Sequence, residues 1–199
     1  MPREIALTGG IACGKSMAEQ CFSACGCRVL DADTVVRELE APGGAAVEPI
    51  VARFGSTVRS QTGGIDHKSL GALVFQDAKA RRALEHIIHP LVLETVRNWQ
   101  AEAVSQAISV FSAALLYETG WDAFWPDVVC ISASEPAQLR RMMSARGMTE
   151  SAARARLAAQ LPVAEKVRRA RWVLRNDEDD LPALKAQVER LVAQWRAEL

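Results

Sequence analysis

The chain has no excess charge of either sign. Over 199 residues, 24 lysines and arginines balance 24 aspartates and glutamates. A nucleic-acid-binding surface usually shows as a basic excess, so this composition gives a nucleic-acid partner no support. No apolar run approaches the roughly 18 residues a membrane-spanning helix needs, and no stretch reads as a signal peptide. The expectation is a cytoplasmic protein with no membrane partner. Cysteine is scarce and poorly spaced for metal. Of five cysteines, four fall at 13, 21, 25 and 27, without the paired C-x-x-C spacing or neighbouring histidines of a zinc site. Cys21 and Cys25, one helical turn apart, read as small apolar packing residues. There is no internal repeat and no low-complexity segment. What remains is an ordinary globular composition, 49% apolar, in a length that suits one compact domain with room for an insertion or two.

The most informative stretch is Gly9-Gly10-Ile11-Ala12-Cys13-Gly14-Lys15-Ser16. It reads G-x-x-x-x-G-K-S, the pattern of a phosphate-binding loop. Gly9 and Gly14 are expected at backbone angles that a residue with a Cβ reaches only at a cost. The amides between them turn inward as an anion nest, and the helix that starts near Gly14 adds the positive end of its dipole. Lys15 is expected at the β- and γ-phosphates, and the Ser16 hydroxyl on Mg²⁺. The context agrees: an apolar run over 4–8 suits a buried parallel strand, and 16–25 reads as helix. Cys13, at a helix N-terminus, is expected to favour its thiolate, with redox sensitivity as a minor consequence.

Gly26 ends the first helix, and 27–31 reads as a second strand. Asp31-Ala32-Asp33 follows at its carboxyl end, where open α/β sheets bind ligands. One of these carboxylates is expected to cap the next helix while the other serves chemistry; the sequence leaves open which. After Pro42-Gly43-Gly44 the character changes to short helices over 45–54, 68–75, 78–88 and 90–106, with a polar loop over 55–66. This reads as a helical insertion suited to substrate binding. Strand patterns resume at 109–111, 127–131 and 172–174. Trp121 and Trp125 between them read as packing residues. The arginine-rich stretch 135–170, punctuated by Gly147 and Pro162, reads as a helical hairpin. One or two of its arginines are expected over the phosphates, and helices closing there would exclude water. Asn176 to Asp180 reads as a turn ending in a helix cap. Leu184, Val188, Leu191, Val192 and Trp195 then share one face of a last helix packed on the sheet.

Together these blocks resemble the dephospho-CoA kinase family. The resemblance rests on Leu7-Thr8-Gly9-Gly10-Ile11 with Gly14-Lys15-Ser16, then Asp31-Ala32-Asp33, Arg37 and Pro42-Gly43 in register. Phe54-Gly55, His89-Pro90-Leu91-Val92, Leu115-Leu116-Tyr117-Glu118 with Gly120, and Gln138, Arg141, Gln160 and Asn176 continue it. It implies an α/β fold: a P-loop kinase core with a five-stranded parallel sheet flanked by helices, a helical CoA-binding insertion and a helical lid. The expected boundaries are 1–36, 107–134 and 171–199 for the core, 37–106 for the acceptor domain and 135–170 for the lid. It implies ATP and Mg²⁺, and ATP-dependent phosphorylation of the 3′-hydroxyl of dephospho-CoA. The expected partners are those two small molecules, and the expected state is a monomer, with weak association left open.

By the same resemblance, Asp33 is the base, and Lys15 and Arg141 stabilise the transferring group. Gly9, Gly10, Ile11, Ala12, Cys13, Gly14, Lys15, Ser16, Met17, Arg141 and Asn176 bind nucleotide. Asp33, Arg37, His89, Leu115 and Glu118 bind acceptor, and Ser16 binds the metal. The chain departs from the family's usual Gly at Ala12, Ser at Cys13, Thr at Met17, and Asp and Pro at Ser112 and Ala114; Asp31 or Glu118 is expected to compensate at the metal. The competing readings are another P-loop small-molecule kinase, for nucleosides or metabolites, and a nucleotide-binding module without turnover.

Overall fold

The computed structural model describes residues 2–105, 107–178 and 180–199. Gln106, the expected end of a helix, and Asp179, within the expected terminal turn, lie outside the described residues. The strands are β1 (Arg3–Gly9), β2 (Arg28–Asp31), β3 (Ile108–Ser112), β4 (Val128–Ser132) and β5 (Trp172–Arg175). The helices are α1 (Lys15–Ala24), α2 (Ala32–Glu40), α3 (Val47–Phe54), α4 (His67–Gln76), α5 (Ala78–Ala101), α6 (Glu135–Arg146), α7 (Glu150–Ala158), α8 (Val163–Arg169) and α9 (Leu181–Ala197).

The strands form one parallel sheet in the order β2-β3-β1-β4-β5. β3 and β4 are buried at every position, so neither shows the exposed-buried alternation of a half-covered strand. β1 sits between them, with Leu7 opposite Ser112 on β3 and Gly9 opposite Ile131 on β4. From β1 the chain runs past β3 to β2, and from β3 it runs past β1 to β4, so the carboxyl ends of β1 and β3 flank a switch point where such sheets bind ligands.

The chain divides into two compact units, Met1–Leu30 with Ala103–Leu199, and Asp31–Glu102. In the first, α1 and α9 pack together. The rings of Phe22 and Trp195 stack 5.8 Å apart, and Trp172 meets Trp195 edge-on at 5.3 Å. Leu184, Val188, Leu191, Val192 and Trp195 are all buried in this core, as their shared helical face requires. Trp125 and Trp121 are buried against Phe111, at 4.8 and 5.9 Å, so both are packing residues.

The arginine-rich stretch is three helices, not the expected hairpin. Gly147, at φ 61°, closes α6, and the Thr149 hydroxyl caps α7 by accepting from Ala152 N at 3.3 Å. Pro162 then disfavours helical angles at the residue before it and starts α8. In the second unit, Pro90 was expected to separate two helices, but α5 runs through it. A proline costs an interior helix about 3 kcal/mol. Here Ile88, Val92 and Val96 are buried at four-residue spacing on both sides of it, a continuous apolar face that keeps the helix in register. Among the described residues, no helix is long and apolar enough to cross a membrane.

Candidate active site

The loop after β1 owes each glycine to a different constraint. A Cβ at Gly9 would lie 2.8 Å from the Ile131 carbonyl oxygen on β4. Gly9 is absent from the positive-φ residues, so close approach, and not the expected backbone angle, demands glycine there. Gly14 does take a left-handed angle, φ 96°. Ala12 has φ 58°, the one non-glycine at positive φ among the described residues, an angle that costs a residue with a Cβ about 1 kcal/mol. Gly14 caps α1 without a side-chain acceptor. The first amides of that helix are thereby left for an anion.

Three consecutive carbonyls of the loop are held by side chains from other elements. Gln138 Nε2 on α6 donates to Ile11 O at 2.7 Å, Arg141 Nη1 to Ala12 O at 2.9 Å, and Asn176 Nδ2 to Cys13 O at 2.9 Å. Gln160 Oε1 accepts from Ile11 N at 3.1 Å, and Arg141 Nη2 donates to Asn176 O at 2.5 Å. Carbonyls turned toward donors in this way shape the backbone as an anion nest requires. Arg141 and Asn176, expected as nucleotide contacts, thus hold the loop backbone. Beside the loop tip, a cavity of about 600 Å³ is lined by Gly10, Ile11, Gln138, Arg154, Leu157 and Val163.

Three other arginines of the arginine-rich stretch serve ion pairs. Arg154 bridges Glu135 and Glu150, each at 2.8 Å. Arg169 pairs with Asp122 at 2.6 Å and lies over the Tyr117 ring, and Arg168 pairs with Glu165.

Lys15 Nζ lies 2.7 Å from Glu19 Oε1 and donates to Ser112 Oγ at 3.0 Å. The Ser112 hydroxyl donates to the same carboxylate oxygen at 2.5 Å. Glu19 escaped the sequence reading; its signal is the four-residue spacing from Lys15 on one helix face. The carboxylate that meets Ser112 is Glu19. Glu118 Oε1 instead lies 2.8 Å from Lys166 Nζ and accepts from Leu161 N at 3.0 Å. Lys166 is fully buried and also donates to Ala114 O at 2.6 Å. It was missed because a lysine in a charged helix ordinarily reads as solvated. Leu115, beside this pair in sequence, is exposed.

Cys13 corrects another expectation. It is wholly buried, and that burial pushes its thiol up from the ordinary value despite the nearby Arg141 and Lys166. Desolvation outweighs the helix terminus, so the thiolate is disfavoured. Among the described residues, no group of three or more His, Cys, Asp or Glu side chains forms a metal cluster. The oxygen donors Ser16, Ser112 and Glu19 suit a hard cation such as Mg²⁺, which keeps most of its waters and takes few protein ligands.

In the second unit, Asp31 caps α2 by accepting from Thr34 N at 3.1 Å, which settles which carboxylate is the cap. Asp33, in the first turn of α2, is exposed. Arg37 lies one turn on and donates to Thr34 Oγ1 at 2.7 Å and to Asp33 O at 3.2 Å. His89 is half-buried on α5, and that burial lowers its pKa.

A family model described as Dephospho-CoA kinase matches residues 3–181. A dephospho-CoA kinase of Anaeromyxobacter dehalogenans is 41% identical over 196 residues, covering 98% of this chain and 92% of the relative. A Thermus thermophilus crystal structure superposes with a TM-score of 0.80 at 27% identity, covering 97% of each chain. A dephospho-CoA kinase from Campylobacter jejuni superposes at 0.73 with 24% identity over 100% and 99% of the two chains, which speaks for the fold. The strand order, the loop after β1 and a family match over nearly the whole length agree: this chain belongs to the dephospho-CoA kinase family.

Proposed function

We propose that this chain transfers the γ-phosphoryl group of ATP to the 3′-hydroxyl of dephospho-CoA, giving coenzyme A and ADP. The observation that carries the reading is the loop. Its carbonyls at Ile11, Ala12 and Cys13 are tied back by Gln138, Arg141 and Asn176, and Lys15 heads the uncapped helix behind it. A loop so held can receive a triphosphate without reorganising, which is the main protein contribution to phosphoryl transfer.

In this reading Gly9 to Met17 bind the phosphates, and Lys15 turns to the β- and γ-oxygens. Arg141 supports the loop and adds positive charge beside it. Ser16 is the metal ligand; bound Mg²⁺ would neutralise charge on the phosphates. Asp33 is the base that orients the ribose hydroxyl and takes its proton; its exposed carboxylate in the first turn of α2 is open to an acceptor. Arg37, His89, Leu115 and Glu118 belong to acceptor binding. The division of labour is a core of 1–36, 107–134 and 171–199, an acceptor domain of 37–106 and a lid of 135–170. The working form is a cytoplasmic monomer.

The test is ADP release from Mg-ATP with and without dephospho-CoA, alongside Lys15→Ala and Asp33→Asn. The expected result is ADP and coenzyme A in equal amounts only with the acceptor, and a loss of about 100-fold or more in each variant. Turnover with nucleosides or small alcohols and not with dephospho-CoA would overturn the acceptor assignment. Full activity in Asp33→Asn would remove Asp33 as the base.

A further inference from the structure

We propose that Glu19 positions the nucleotide's divalent cation, by accepting hydrogen bonds from the cation's waters, and that Ser112 holds Glu19 in place for this. The inference rests on the kinase reading above. Glu19 follows Ser16 by three residues and Lys15 by four on α1, so all three side chains project on one side of the first helical turns. Its Oε1 is fixed twice, by the Lys15 ammonium at 2.7 Å and the Ser112 hydroxyl at 2.5 Å. Ser112 ends β3 and stands opposite Leu7 on β1, so it reaches the loop from the neighbouring strand. Both members of the ion pair are largely shielded, at 15% and 17% exposure.

The charge balance changes when a triphosphate enters. Lys15 is the residue that a phosphate-binding loop directs to the β- and γ-oxygens. Once it turns there, Glu19 is left as a carboxylate facing a polyanion at short range, which is repulsive in a poorly solvated site. A hydrated divalent cation between the two turns the repulsion into attraction. Mg²⁺ gives up its waters reluctantly and is commonly held through one or two carboxylates besides the phosphates. In the same unit, the Glu118 carboxylate is occupied by Lys166 and Leu161 N. Glu19 is therefore the carboxylate placed for the task, with Ser112 orienting it as outer groups orient metal ligands.

The experiment is calorimetric titration of ADP, at a series of Mg²⁺ concentrations and in EDTA, into the parent chain, Glu19→Gln, Ser112→Ala and the double variant Glu19→Gln/Ser112→Asp. In Glu19→Gln, the Mg²⁺ concentration that gives half of the metal-dependent tightening should rise about tenfold, while ADP affinity in EDTA does not weaken. Ser112→Ala should shift the same way by less. The double variant returns a carboxylate to the same space and should recover most of the loss. An equal weakening of ADP with and without Mg²⁺, or no shift in either, would overturn the proposal and leave Glu19 as only the ion-pair partner of Lys15. Should melting curves show Glu19→Gln unfolded, Ser112→Ala and the double variant decide. ADP binding needs no acceptor, so a chain that makes no coenzyme A still answers this question. A chain that makes coenzyme A with no Mg²⁺ shift loses only the role of Glu19.

Discussion

The side-chain amide of Asn176 donates to the carbonyl of Cys13 at 2.9 Å, from a position 163 residues away. The same nitrogen sits where a Cβ on Gly14 would collide with it, so the amide and the loop are fitted to one another. The other amide atom, Oδ1, is buried with no hydrogen-bond partner among the described residues. A residue that shapes the loop should affect all nucleotides alike, whereas a residue that reads the base should change selectivity. Asn176→Ala is expected to weaken ATP and GTP together by about tenfold, the equivalent of one hydrogen bond of about 1–1.5 kcal/mol. Fluorescence titration of both nucleotides checks this; a change in the ATP-to-GTP ratio would assign Asn176 to base recognition.

Lys166 is the most deeply buried charge described, at 0% exposure, and Glu118 at 2.8 Å is its counter-ion. Removing one partner of such a pair leaves an uncompensated charge, while removing both can be nearly neutral. Glu118→Gln is expected to destabilise the fold by about 2–4 kcal/mol, and Lys166→Met combined with Glu118→Gln by clearly less. Urea unfolding of the parent, both single variants and the double variant closes the cycle. Additive losses would show that the two groups do not compensate each other.

Local rules made the phosphate loop, the five strands and the terminal helix legible. The loop has fixed residue types at fixed spacing, and the buried faces of β3, β4 and α9 are written in consecutive or periodic apolar residues. The side chains that hold the loop were harder to interpret. Gln138, Gln160 and Asn176 stand out in the family pattern, but their partners, Ile11 and Cys13, are more than 120 residues away, and only the fold brings them together. Pro90 misled because its local cost is certain and the compensating face of α5 depends on tertiary packing. Cys13 misled similarly: a helix terminus is visible in sequence, and the desolvation that overrides it is not.

Ala12 pays for a left-handed backbone that glycine adopts freely, with φ 58°. Its carbonyl is held by Arg141 at 2.9 Å, so the angle is imposed by the clamp on the loop. Ala12→Gly is expected to raise stability by about 1 kcal/mol, the left-handed strain relieved less the added freedom of the unfolded chain. Thermal melts without nucleotide check the sign. Unchanged or lower stability would mean that the loop relaxes around alanine without strain.

The cysteines set a limit on alkaline stability. Burial raises the thiols of Cys13, Cys21, Cys25, Cys27 and Cys130 above the ordinary value of 9.0, with Cys27 at about 11 and Cys130 at about 12. The unfolded chain therefore loses these protons first, near pH 9, while the folded chain still holds them. Where the unfolded state binds fewer protons, unfolding free energy falls as pH rises. The stabilisation is complete below pH 9 and drains away between pH 9 and about 12, a tenfold difference in proton affinity between the two states being equivalent to about 1.4 kcal/mol. Urea midpoints are expected to hold steady from pH 7 to 8.5 and to fall steeply above pH 9.5, and Cys130→Ala should flatten that fall even if it lowers the plateau. In the same pH 7 to 8.5 range, a maleimide reagent should leave Cys13 unlabelled and ATP binding unchanged. Rapid labelling of Cys13 in the folded chain would restore the reactive thiolate that its helix terminus first suggested.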